Sequence, residues 1–348
     1  MTVTYHSGRR IQGTQADFDG TPAVSGGWKE VGRTTLGSAG NTIDVTSLAD
    51  KQYLMVLTNI LQNGDYNLRT RMNGDSGSNY SYRESANGAS DTTSTSTDLI
   101  NFTSASNTTD CFNVGYAANL SSKEKLWQSW LANVRTAGAG TAPYRGETVG
   151  KHAQTSNPIS QFNIFNNYGS NKFASGSEVV VLGWDPSDTH TTNFWEELYS
   201  GTGTSLDTGV GGITSKKYLW VQGYLTGVST GTTYKYVVNG DTGSNYAQRL
   251  SVNGSSDSTF TNNSNGILYH SGQGSETSIF FNSFIINNSS NEKLVITNNV
   301  YTTTAGAGTS PSRQEIVSKW ANTSAQITDI QLTGTYGTNS ILKVWGSN

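Results

Sequence analysis

The chain has 348 residues and a formal net charge of −3, with 34% hydrophobic, 14% charged and 10% aromatic residues. So weak a charge gives no electrostatic basis for binding nucleic acid or an anionic membrane, charge this sparse is unlike that of a disordered chain, and a single cysteine, Cys111, excludes an intrachain disulfide. Seventeen Tyr, eight Trp, abundant Thr, Asn, Ser and Gly, and few helix formers predict an all-β protein.

In chain order, residues 1–24 read as an extended N-terminal arm. It has no apolar signal-peptide region, and no run in the chain approaches the ~20 apolar residues of a membrane-spanning helix. Synthesis in a cytoplasm without signal-peptide export is therefore expected. Thr2, Val3 and Tyr5 alternate with polar neighbours in strand fashion, and Arg9, Arg10 and Ile11 follow. Next, Tyr53–Ile60 is a strand candidate. Asn63-Gly64 suits a hairpin turn, and Tyr66–Met72 alternates again. Residues 73–91, NGDSGSNYSYRESANGASD, recur as 239–257, NGDTGSNYAQRLSVNGSSD. TAGAGT at 136–141 recurs at 304–309, Trp28 matches Trp195, and Arg145 and Glu147 match Arg313 and Glu315. The chain is thus a tandem duplication: copy one over 25–186, a linker at 187–193, and copy two over 194–348. Leu126, Trp127, Trp130, Leu131 and Val134 have helical spacing. The matching Leu294–Tyr301 is rich in β-branched residues, so a strand is predicted in both copies. About eight to ten strands in each ~160-residue copy suit a β-sandwich, jelly-roll or lectin-like.

Chemistry is sparse. His6, His152, His190 and His270 have no counterparts between copies; Trp320 stands where copy one has His152. No nucleophile elbow, phosphate loop or metal-spaced histidine pair occurs. The carboxylates shared by both copies are Glu30/Glu197, Asp75/Asp241, Asp91/Asp257, Glu124/Glu292 and Glu147/Glu315. They are expected to serve turns and ion pairs, and catalysis is not expected; a glycan-degrading carboxylate pair is the enzymatic alternative. No cofactor is expected. Asn73, Asp75 and Asp91, with Asn239, Asp241 and Asp257, offer the oxygen ligands calcium would take, against a plain hairpin-turn reading. Cys111 reads as a structural thiol. Tyr80, Tyr82 and Arg83, with Tyr246 and Arg249, are candidates for a surface-binding face, against a reading as core aromatics with a structural arginine. A carbohydrate-binding role predicts an exposed aromatic groove in each copy.

The start Thr2-Val3-Thr4-Tyr5, Arg10-Ile11-Gln12-Gly13-Thr14, NGDSGSNYSYR and TAGAGTAPYR resemble β-rich virion structural proteins of marine tailed phages and archaeal viruses. The resemblance spans the arm and both modules. It implies a capsid, decoration, spike or fibre component that self-assembles in the host cytoplasm, joins other virion proteins and is released by lysis. Two modules per chain also suit a double jelly-roll subunit. Receptor or host-surface glycan binding is the alternative function. The resemblance carries over no site residues.

The arm has no counterpart ahead of copy two, which leaves it available to extend a neighbouring subunit's sheet. Deleting residues 1–20 is expected to leave both modules folded by circular dichroism and to impair assembly by sedimentation. Unfolding of the truncated chain, or its normal assembly, would contradict this.

Overall fold

The computed structural model describes residues 24–25, 27–102, 109–190, 192–229, 231–271, 277–302 and 306–348, and every regular element among them is a β-strand. The arm residues Thr2, Val3, Tyr5, Arg9, Arg10 and Ile11 lie outside the described residues. Copy one runs β1 (Val24–Ser25), β2 (Lys29–Thr35), β3 (Thr42–Val45), β4 (Tyr53–Ile60), β5 (Arg69–Met72), β6 (Tyr80–Ala86) and β7 (Thr92–Thr97). It continues with β8 (Ile100–Asn101), β9 (Cys111–Ala118), β10 (Lys125–Asn133), β11 (Tyr144–His152), β12 (Phe162–Phe165) and β13 (Glu178–Trp184). Then come β14 (Thr189–His190), β15 (Glu196–Thr202), β16 (Tyr218–Thr226), β17 (Tyr234–Val238), β18 (Tyr246–Val252) and β19 (Ser258–Asn263). The last are β20 (Gly266–Tyr269), β21 (Ser278–Ile286), β22 (Lys293–Thr302), β23 (Ser312–Trp320), β24 (Ile330–Thr333) and β25 (Ile341–Ser347).

The duplication is visible strand for strand. An eight-stranded sheet β2-β13-β4-β9-β10-β11-β6-β7 lies over a four-stranded sheet β3-β12-β5-β8. In copy two the orders are β15-β25-β16-β21-β22-β23-β18-β19 and β20-β17-β24. The place of β3 is taken there by a bridge between Asp207 and Gln331. Each copy is a β-sandwich with antiparallel neighbours and its own core. Leu54, Val56, Trp127 and Val179 of the large sheet meet Tyr66, Phe162 and Phe173 in copy one; Leu219, Phe281, Val295 and Val344 meet Tyr234 and Leu332 in copy two. The 125–133 segment is a strand, as copy two suggested: Trp127 and Leu131 face the core, and Trp130 and Ala132 the opposite side.

The linker is tied down. Ser25 pairs with Thr189 and Val24 with His190, Phe194 N–H donates to Trp28 C=O at 2.8 Å, and Lys51 binds Asp185 and Asp188.

The two large sheets also pack on each other through their outer faces. This explains strands that are apolar on both sides. In Val179-Val180-Val181-Leu182, Val179 and Val181 enter the first core. Val180 and Leu182 join Met55, Leu57, Phe112, Val114 and Ala132 against Phe194, Trp195, Tyr218, Phe284, Leu294, Ile296 and Val317 of copy two. Polar groups ring this apolar centre. Arg145 binds Asp257 at 2.7 Å with both side chains nearly buried. Arg249 Nε donates to Pro143 C=O at 2.9 Å, Lys319 Nζ to Val134 C=O at 3.1 Å, and Asn291 to Asp110 at 2.7 Å. Glu178 accepts from Tyr218 Oη at 2.7 Å and Lys217 Nζ at 2.9 Å. Burial pushes its carboxyl up, but donors from Thr35, Lys217 and Tyr218 outweigh this and hold it below the usual carboxylate range. The approach is so close at Gly88 (φ +71°) that a Cβ would lie 2.5 Å from Asp257 Oδ1.

The same arginine occupies two environments: Arg145 is buried against Asp257, whereas the equivalent Arg313 is exposed. Arg145→Ala leaves the buried Asp257 with its longer contact to Arg249 at 3.8 Å and is expected to cost roughly 2 kcal/mol or more in urea unfolding. Arg313→Ala should cost about 1 kcal/mol or less, because the guanidinium is largely in water although its partner Glu315 is nearly buried. Equal effects would contradict this assignment of the interface.

Candidate binding groove

The inter-module contact uses only one half of each outer face. In copy one, the rows Trp184–Tyr53–Ala118–Leu126–Lys151–Ser81 and Met55–Tyr116–Gln128–Val149–Arg83 cross the large sheet side by side. Their counterparts in copy two are Ser347–Tyr218–Ile286–Leu294–Lys319–Ala247 and Trp220–Phe284–Ile296–Val317–Arg249. Module one covers the second set: Tyr218, Leu294, Ile296, Val317 and Lys319 are all buried. The first set is open apart from Met55, which belongs to the inter-module contact. Tyr53 is 43% exposed and Leu126 58%, and with Trp28, Tyr116, Trp184 and Val149 they line a groove of about 860 Å³. This is toward the upper end of ligand-sized clefts.

Neighbouring strands hold the aromatic rings in place. Tyr53 and Trp184 face each other across β4 and β13 and stack with centroids 5.3 Å apart. Trp28 and Tyr116 are 6.1 Å apart, and Tyr116 meets Trp130 edge-on at 6.2 Å. Burial pushes the Tyr116 phenol up, so it stays neutral. Gln128, Ser81, Thr93 and Thr95 add amide and hydroxyl groups to the lining, with Arg83 and Lys151 as its cations. Arg83 is held by Asp91 at 3.2 Å and Lys151 by Glu124 at 3.2 Å. None of the described lining residues is a carboxylate, histidine or cysteine.

Comparison of the copies shows what exposure demands. The open copy has Tyr116 for Phe284, Gln128 for Ile296, Ser81 for Ala247 and Ala118 for Ile286. Each change suits a face in water. Trp184 runs the other way: the covered copy has Ser347 there, and the open copy presents an indole. Solvation alone gives no reason for an aromatic platform at that point.

The surface-binding candidates divide. Tyr82 and Arg83 line the groove, Arg83 on the outer face and Tyr82 partly packed on the core side, on the strand next to the sheet edge. Tyr80 and Tyr246 are not part of a surface-binding face, contrary to their candidacy; both are fully buried, which is the alternative core reading. Tyr80 Oη donates to the Met72 and Asp75 carbonyls, and Tyr246 Oη to that of Asp241. Arg249 belongs to the inter-module contact. The groove expected in each copy is open only in the first, because module one occupies the second. Trp28, Tyr53, Tyr116 and Trp184 were not singled out in the sequence; the Tyr/Phe and Gln/Ile exchanges between copies were the signal that could have found them.

The recurrent NGD motif is a structural clasp. Asn73 (φ 56°) and Asn239 (φ 51°) take the left-handed turn conformation. Their side-chain oxygens accept from Ser160 and Gln161 N–H, and from Thr328 and Asp329 N–H. Asp75 accepts from Gly77 N–H, Asn79 and His152 Nε2, and Asp241 from Gly243 N–H, Asn245 and Trp320 Nε1 at 2.7 Å. His152 and Trp320 are thus interchangeable ring partners, and His152 also stacks on Tyr80 at 4.4 Å. Of the calcium candidates, Asp75 and Asp241 spend their oxygens on these donors, Asp91 faces Arg83, and Asp257 faces Arg145. Among the described residues, no group of three or more His, Cys, Asp or Glu is gathered for a metal. Arg145 and Arg313 pair with Glu147 and Glu315, as their i, i+2 spacing predicts. Cys111 is a buried strand residue whose thiol is pushed up to about 12 by burial.

No family model matches the chain, and no curated protein matches it. Among solved structures, the mouse laminin alpha1 chain, domains LG4-5, is similar at 8% identity over 93% of this chain and 91% of that one, with a TM-score of 0.20. No helix among the described residues is long and apolar enough to cross a membrane.

At Asp241, burial pushes the carboxyl up, but hydrogen bonds from Trp320, Gly243 and Asn245 outweigh it and leave it below its usual value of 3.8. A depressed carboxylate contributes stability that is fully present above the unfolded value and is lost as pH falls through the folded one. Because Trp320 does not titrate, Asp241→Asn should lower stability at pH 7 and flatten its decline below about pH 4. An unchanged acid slope in urea titrations would contradict this.

Proposed function

We propose that the protein is a glycan-binding surface protein whose ligand, an oligosaccharide chain, lies along the open groove of the first module. One observation carries the reading: the groove leaves Tyr53 exposed and Trp28, Tyr116 and Trp184 half-buried along its wall, where the same face of the second copy is sealed. Sugar rings present apolar C–H faces and polar edges. Stacked aromatic side chains beside amides and hydroxyls match both, with little side-chain entropy to lose. The lining residues include none of the facing carboxylates that glycoside hydrolysis uses, which favours binding without cleavage. The second module then serves as a platform that buries half of the first module's outer face and fixes the curvature of the groove.

In the virion setting implied by the sequence resemblance, this is the role of a spike, fibre or decoration component that holds a particle to a host-surface glycan. Self-assembly and contacts with other virion proteins belong to the same proposal.

A glycan array followed by calorimetry tests it. Binding of one oligosaccharide class is expected, and Trp184→Ala and Tyr53→Ala should each weaken it about tenfold or more, roughly 1.4 kcal/mol, with unchanged melting. Phe280→Ala, outside the groove, should have no effect. An array without hits at millimolar ligand, or binding indifferent to both groove substitutions, would overturn the reading.

A further inference from the structure

The second module carries an apolar row that nothing in the described chain covers. Across β25, β16, β21 and β22, Ile341, Tyr224, Phe280 and Val300 are direct neighbours, flanked by Thr202 on β15 and Arg313 on β23. The four are 39%, 44%, 43% and 40% exposed. Their counterparts in copy one, in the same register, are Glu178, Asn59, Phe112 and Ala132, flanked by Thr35 and Arg145. Those four are buried by the second module.

The direction of the differences is informative. A surface that meets only water should be no more apolar than its covered equivalent. Along this one row it is more so: Ile341 stands for Glu178, Tyr224 for Asn59 and Val300 for Ala132, with Phe280 kept as Phe112, whereas the adjacent row turns polar, with Lys343 for Val180, Gln222 for Leu57, Asn282 for Val114 and Asn298 for Trp130. At the groove most exchanges ran the opposite way. Large side chains aligned across four strands make a contiguous patch of the kind that marks an interaction site.

The row also continues an interface already formed. On the same face of the same sheet, Tyr218, Phe284, Ile286, Leu294 and Ile296 are sealed against module one. A polar belt of Lys343, Gln222, Asn282, Asn298 and Glu315 separates them from the row. Charge does not oppose self-contact. Arg313 pairs with Glu315, and Lys343 with Glu197 at 3.0 Å, so the flanks are neutral.

We propose that this row is where two copies of the chain pair, sheet face on sheet face, about a two-fold axis near Tyr224 and Phe280. Ile341 of one copy then meets the Val300 side of the other, and one patch serves both partners. The contact repeats, between chains, the sheet-on-sheet contact between modules.

Sedimentation velocity and mass photometry of the full chain across a wide concentration range test this. A reversible dimer is expected, and Phe280→Asp with Tyr224→Ser should raise its dissociation constant at least about tenfold. Val300→Lys is the second variant should the first fail to melt cooperatively. Tyr53→Asp, in the groove, should leave the dimer intact. A chain that stays monomeric at every concentration, whether residues 1–23 or another protein cover the row, overturns the proposal. So does a dimer that survives both row variants, or one lost with Tyr53→Asp, which would place the contact in the groove.

Discussion

The apolar contact between the two large sheets governs what the rest of the molecule can be. Met55, Leu57, Phe112, Val114, Val180 and Leu182 on one side, and Tyr218, Phe284, Leu294, Ile296 and Val317 on the other, lose their water only when the modules meet. Burying each such side chain is worth about 1.5–3 kcal/mol. Separating the modules would therefore expose a surface comparable in cost to the whole stability of an ordinary domain. The two sandwiches have separate cores and nonetheless share one continuous apolar contact. The buried pair Arg145–Asp257 and the cluster around Glu178 sit at the edge of this contact, where a mismatched register would strand a charge without its partner. Their contribution is to orient the modules more than to hold them together.

From this contact follows the asymmetry between two copies that share every strand of their large sheets. Only half of each outer face is used. The first module gives up the half around Phe112 and keeps the half around Tyr53; the second does the reverse. Two modules that began with the same face thus came under opposite demands. The exchanges Gln128/Ile296 and Tyr116/Phe284 record one demand, and Glu178/Ile341 and Asn59/Tyr224 the other.

Much of the fold was legible in the sequence, because duplication lets each copy check the other. The strand at Lys125–Asn133 is an example: its apolar spacing alone fits a helix, and Val295, Ile296 and Val300 resolve it. The NGD repeats announced turns, and the turns are there, though their deeper task of capping β12 and β24 depends on contacts more than eighty residues apart. The site was less legible. Alternation says which residues share a face, but not whether that face meets water, a core or another module. Tyr80 and Tyr82 share a side as alternation requires, and that side is the core. The apolar run Val179–Leu182 is buried on both faces, which in an antiparallel sandwich requires a third layer, a consequence that was not drawn from the sequence.

Under the proposed glycan-binding function, occlusion of the second groove sets the valency of the chain. Tandem binding modules ordinarily raise avidity, because a second site engages at the high effective concentration set by the tether. On that proposal the duplicated architecture comes without the benefit: one tandem chain offers one groove, and the other face is packed against its neighbour. Tight attachment to a repetitive surface would therefore depend on how many chains are displayed side by side, and weak binding by each groove would suffice.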